Sequence, residues 1–109
     1  GRWAYDFEKQ VIRMILLGST PELLQNILRP SVYNFNLILE DKELYQTIDE
    51  FLEANLNISE ASRRLFIHRN TLVYRLNKIF KITGLDIRNF NDSMILTVLM
   101  NYHEINNCK

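Results

Sequence analysis

The sequence predicts an all-α fold, a compact bundle of about five or six helices. Three observations carry this expectation. Apolar residues recur at three- and four-residue spacing along most of the 109 residues. Caps and breakers such as Gly18, Pro30, Ser59 and Gly84 divide that pattern into helix-length pieces. The one alternating stretch, Phe35, Leu37 and Leu39, has no second strand to pair with. At 47% hydrophobic residues the chain can bury one core. Three Gly and two Pro, with no repeat or low-complexity tract, leave no evident linker.

Taken in order, Tyr5 to Leu17 reads as a first helix ending at Gly18. Its Val11, Ile12, Met14, Ile15, Leu16 and Leu17 are apolar on too many sides for a free surface and demand a cover: its own domain, a second subunit or an upstream region. Ser19-Thr20-Pro21-Glu22 starts a second helix, with Leu23, Leu24, Ile27 and Leu28, that stops at Arg29-Pro30. Ser31 to Leu39 reads as an irregular connection or a short helix. Asp41 to Ala54 is a helix with Leu44, Ile48, Phe51 and Leu52 inward, and its Glu43, Asp49, Glu50 and Glu53 form an acidic outer surface. A last helix, about Asn91 to Ile105, presents Met94, Ile95, Val98, Leu99 and Tyr102 either to the core or to a dimer seam.

Between them, Asn57 to Gly84 reads as two helices joined by a tight turn. The first runs from Ser59, an N-cap, to Leu65; the turn is Phe66-Ile67-His68; the second runs from about Arg69 to Thr83, closed by Gly84. With Leu72 at zero and a step of about 100° per residue, Leu76, Ile79 and Phe80 fall within about 80° of it. Asn70, Tyr74, Asn77, Lys78 and Lys81 lie opposite, without a carboxylate. Such a face suits either solvent or the major groove, where amides and guanidinium groups meet base edges and cations meet phosphates.

Charge separates the two readings. The chain is neutral overall, but residues 1–57 hold five Lys/Arg against nine Asp/Glu, residues 58–82 hold six against one, and residues 83–109 hold two against three. A basic segment between acidic flanks, coincident with the two-helix pattern, is the footprint of a polyanion partner and favours DNA. On this reading Arg69, Asn70, Tyr74 and Asn77 read bases, while Ser59, Arg63, His68, Thr71, Arg75, Lys78 and Lys81 meet the backbone. His68 serves equally as a helix cap, and Arg75, near the core edge, equally as a salt-bridge partner of the preceding helix.

The run LFIHRNTLVYRLNKI, residues 65–79, resembles the signature of the C-terminal helix-turn-helix of PucR-type regulators, the bacterial purine-catabolism and sugar-diacid transcription factors. The preceding LEDKELYQTIDEFLEANLNISEASRRL and the following ITGLDIRNFNDSMILTVLM are similar to the flanking helices of that family, so the resemblance spans Leu39 to Met100. It implies double-stranded DNA as partner, a homodimer, and an inducer bound at a sensor region outside this chain. Residues 39–109 are then the DNA-binding domain and 1–38 a lead-in from that sensor. Phe66 departs from the general helix-turn-helix pattern, which often has Gly in the turn; a left-handed Phe is costly, so a differently shaped turn is expected.

Other classes find little support. His68, His103 and Cys108 are not at metal spacing, and there is no Ser-His-Asp set, Gly-rich phosphate loop or paired carboxylates on one helix face, so neither an enzyme nor a cofactor is expected. One Cys implies no disulfide framework and is compatible with a reducing cytosol, and the apolar runs are short of a membrane span. The start at Gly-Arg, without an initiator Met, reads as an excised piece of a longer protein. The alternative from another class is a helical docking module whose basic hairpin meets an acidic protein surface.

Overall fold

A computed structural model of the chain describes residues 9, 12–18 and 32–107. Within the expected first helix, residues 12–17 are helical, and Gly18 closes them by donating its amide to the carbonyls of Met14 and Ile15. The expected second helix, 21–28, lies outside the described residues. Among the described residues every regular element is helical.

Residues 32–39 resolve in favour of the short helix, and Ser31 lies outside the described residues. A 3-10 turn, Val32–Asn34, enters α1, Phe35–Leu39. Phe35 and Ile38 are buried while Leu37 is exposed, the three-residue period of a helix. α2, Lys42–Glu53, starts where Asp41 Oδ1 accepts the Leu44 amide at 3.1 Å, and it buries Leu44, Thr47, Ile48 and Phe51. Its acids do not all form an outer surface, as the sequence suggested. Glu53 is buried, 2.8 Å from Arg64 Nη1, and Glu50 stands 3.8 Å from the same guanidinium. The acidic side of α2 is therefore partly its seat for the next helix.

α3, Ile58–Leu65, begins one residue earlier than expected, because Asn57 and not Ser59 is its N-cap: Asn57 Oδ1 accepts the Glu60 amide at 2.9 Å. Two candidate caps two residues apart compete, and Asn57 wins because its extended backbone sits at the end of the left-handed pair Asn55–Leu56. Phe66 also corrects an expectation. Its φ of 56° is left-handed, so the turn keeps the shape that Gly would give it. Ile67 N bonds to Ser62 O and Phe66 N to Arg63 O, the paired bonds of a Schellman stop. α2 ends in the same way, with Leu56 N on Phe51 O and Asn55 N on Leu52 O.

α4, Arg69–Thr83, has the expected bounds and stops at left-handed Gly84, φ 76°. Leu72, Leu76 and Ile79 are fully buried, but Phe80, expected in the same stripe, is half exposed at its edge. Residues 84–89 form a tied loop in which Leu85 and Ile87 plug the core. α5, Phe90–Asn107, turns a different face inward than its periodicity suggested. Ser93, Leu96, Leu99, Met100 and Asn101 are buried, whereas Met94 is exposed. Asn101 settles the register: its Nδ2 donates to Thr97 O at 2.8 Å, and its Oδ1 accepts from Arg13 Nε at 3.1 Å.

α2 packs on α3, α4 and α5, and α1 lies against α2 and α4, so one core of Phe35, Ile38, Ile48, Phe51, Ala61, Leu72, Leu76, Ile79, Ile87 and Leu96 joins all five helices. Among the described residues no buried side-chain nitrogen or oxygen lacks a hydrogen bond.

Candidate nucleic-acid interface

With Leu72, Leu76 and Ile79 locked inward, the opposite side of α4 has to face out. Arg69, Asn70, Thr71, Tyr74, Asn77, Lys78 and Lys81 are all exposed. Tyr74 is 66% exposed, as expected for a side chain with no packing role. The start of the helix is organised by two side chains. His68 Nδ1 accepts the Asn70 amide at 3.0 Å, so the imidazole caps α4 with its other edge to solvent. Arg69 Nη1 lies 3.5 Å from Ser59 Oγ, which joins the beginnings of α3 and α4 into one surface.

Arg63 is exposed on α3 and held by Glu60, with Nη2 2.5 Å from the carboxylate, and Glu60 also receives Arg64 Nε at 3.2 Å. The Arg63 hydrogen bond holds the Glu60 carboxyl below the usual carboxylate range, and Glu60 in turn pushes the Arg63 guanidinium up. The one acid of the basic segment is thus neutralised by its own helix. Arg75 is placed elsewhere. Its Nη2 is 3.3 Å from Glu43 and its Nη1 3.3 Å from Thr47 Oγ1, so it fastens α4 to α2 while the other ten site residues remain exposed.

Two features of this surface go beyond the sequence reading, which placed Phe66 in the turn without its exposure and gave Arg88 no role. Phe66, 94% exposed, stands at the turn between the helices. Arg88, from the loop after α4, reaches Asn77 Oδ1 at 2.9 Å while its Nε donates to Asp86 at 2.8 Å. The alternation Leu85-Asp86-Ile87-Arg88 signalled that Asp86 and Arg88 share an outward face, but nothing local placed that face beside Asn77.

A second surface is apolar. A groove of about 430 Å³ runs between residues 12–16, the end of α2 and the outer side of α5, lined by Ile12, Ile15, Leu16, Leu52, Phe90, Met94 and Val98. Among the described residues no three metal-ligating side chains gather, and no helix is long and apolar enough to cross a membrane.

Two helices meeting at a left-handed turn, the second with its polar and cationic side outward, define a helix-turn-helix domain. The profile of the PucR C-terminal helix-turn-helix domain matches residues 44–101, α2 through most of α5. The chain belongs to that family. It is 44% identical over 61 residues to the carbohydrate diacid regulator of Escherichia coli (strain K12), covering 56% of this chain and 16% of that protein. It is 36% identical over 61 residues to the purine catabolism regulatory protein of Bacillus subtilis (strain 168), covering 56% and 12%. A third relative, the DNA-binding transcriptional activator AdeR of Bacillus subtilis (strain 168), is 40% identical over 53 residues, covering 49% and 13%. The match thus spans less than a fifth of the length of these relatives. No solved structure matches the chain.

Proposed function

We propose that this chain is the DNA-reading domain of a bacterial transcription regulator, with α4 in the major groove. The observation that carries the proposal is the exposed side of α4, where amides, a phenol and cations stand together with no carboxylate on the helix itself. Arg69, Asn70, Tyr74 and Asn77 read base edges; Ser59, Arg63, His68, Thr71, Lys78 and Lys81 meet phosphates on either side. Arg75, held on α2, acts through the seating of the helix. The regulator relatives support this reading, as does the family to which the chain belongs.

In this proposal residues 39–109 form the reading unit and residues 1–38 lead to a sensor region that binds the inducer. The protein works in the cytoplasm as a homodimer, because one small module buries too little surface for tight operator binding and two half-sites about one helical turn apart supply the rest. No enzymatic step is assigned to the chain.

Fluorescence anisotropy with random-sequence duplexes across a salt series tests the proposal. The expected result is a fall in log affinity with log salt of slope about −3 or steeper, from about 0.9 per phosphate contact. No binding even at low salt overturns it. The apolar groove, with Met14, Ile15 and Leu17 exposed beside it, favours a second reading, a helical docking or dimerisation module. Binding of this kind would be insensitive to added duplex.

A further inference from the structure

Asn77 differs from Arg69, which makes only a 3.5 Å contact with Ser59 Oγ, in having its acceptor oxygen closely engaged. Arg88 Nη2 donates to Asn77 Oδ1 at 2.9 Å. A guanidinium has five N–H donors and no acceptor, so the amide of Asn77 has to turn its oxygen to Arg88 and its NH2 group away from it. The guanidinium is itself aimed. Asp86 Oδ1 accepts from Arg88 Nε at 2.8 Å and from the Arg88 backbone amide at 3.0 Å, and Asp92 ties the Asp86 amide at 2.9 Å. Leu85 and Ile87, buried on either side of Asp86, anchor the loop that presents this set.

We infer that Arg88 is a positioning residue for specificity, which makes Asn77 a donor to the groove. This rests on the groove placement of α4 proposed above. A free asparagine amide pairs with adenine by accepting from N6 and donating to N7; with a guanidinium already on one of the two lone pairs of Oδ1, adenine N6 would have to share that oxygen with a cation, so donation from the NH2 group is the favoured mode. The base edge that presents two acceptors side by side is guanine, with N7 and O6 for the two N–H groups of one amide; thymine offers O4 alone beside its methyl. The base pair preferred at Asn77 is therefore G·C, and it is Arg88 that disfavours A·T.

Selection from a random duplex pool with the wild-type chain, Asn77→Ala and Arg88→Met tests this, with circular dichroism confirming that each variant is folded. N77A identifies the position by flattening one base-pair preference. At that position the wild type selects G·C, and R88M shifts the choice toward A·T by about fivefold or more, the smallest discrimination that a bidentate contact gives. Asp86→Asn, which loosens the guanidinium without removing it, shifts the same position in the same direction by less and decides the matter if R88M does not fold. A loss of affinity spread evenly over all positions would make Arg88 an ordinary phosphate contact and overturn the inference. So would an R88M profile unchanged at the Asn77 position, or A·T selected there by the wild type. If the wild type enriches no sequence at all, the groove reading itself fails, and this inference with it.

Discussion

Replacing Phe66 with Gly should stabilise the domain, although it deletes the largest side chain at the turn. Phe66 sits at φ 56°, ψ 42°, and a left-handed L-residue costs roughly 1–2 kcal/mol. Its ring is 94% exposed, so removing it forfeits almost no burial. Against the relief of strain stands the greater backbone freedom of Gly in the unfolded chain, about 0.5–1 kcal/mol. The difference is a gain of about 0.5–1 kcal/mol, or a rise in Tm of about 2–8 °C for a domain of this size. Urea denaturation followed by circular dichroism at 222 nm measures it, with an unchanged m-value as the check that only stability has moved. A destabilisation of 0.5 kcal/mol or more would refute the reasoning, since it would mean that the ring makes contacts worth more than the strain. A stabilised F66G with weakened DNA binding would show instead that the strained turn holds the ring out for the duplex.

Three further outcomes follow from the same geometry. Asn70→Ala should relax discrimination at one base pair by about 1–3 kcal/mol in a specificity profile, while Lys78→Ala weakens all sequences alike and lowers the salt slope by about one. Arg75→Met should lower stability by up to about 1 kcal/mol, as for a partly exposed pair, and leave the salt slope unchanged; a slope reduced by one would put Arg75 on a phosphate after all. The Arg88 hydrogen bond holds the Asp86 carboxyl below its ordinary value. The ionised pair therefore adds stability above the ordinary carboxylate range that is lost as pH falls through the lower folded value, and acid titrations of stability should lose that component in Asp86→Asn.

Where a residue's role depends on its near neighbours in the chain, the sequence alone reveals it. α4 is such a case: Leu72, Leu76 and Ile79 mark one stripe, and Gly84 ends it. The cap of α3 was misplaced because Ser59 and Asn57 are both good caps, and the choice follows from how α2 ends, in the left-handed pair Asn55–Leu56 directly before Asn57. The inward face of α5 was ambiguous for a different reason. Ile95, Leu96, Val98, Leu99 and Met100 are apolar on nearly every side, so periodicity cannot pick a face; Ser93 and Asn101 are polar and buried, which a hydrophobicity pattern counts against the side that won. Arg88 belongs to neither group. Its significance comes from a partner 11 positions away across a loop, and charge counted by segment assigned it to an acidic flank.

The domain's exposed side was legible for the reason that α4 was. A helix with three fully buried positions on one side has no freedom to choose the other. The acids of α2 were harder, since Glu53 resembles any solvated carboxylate in sequence and becomes internal only when Arg64 arrives from α3.

On the proposed docking of α4 in the major groove, the two Schellman stops, after α2 and after α3, have a mechanical meaning. Both corners of the α2-α3-α4 run are closed by backbone hydrogen bonds, and α4 is tied at its far end by the loop that Leu85 and Ile87 nail to the core. A reading head so braced has little compliance of its own. In that proposed docking, an operator that departs from the ideal groove would take the strain of the fit on the duplex, and flexible base steps that the protein never touches would acquire a say in which sites are bound.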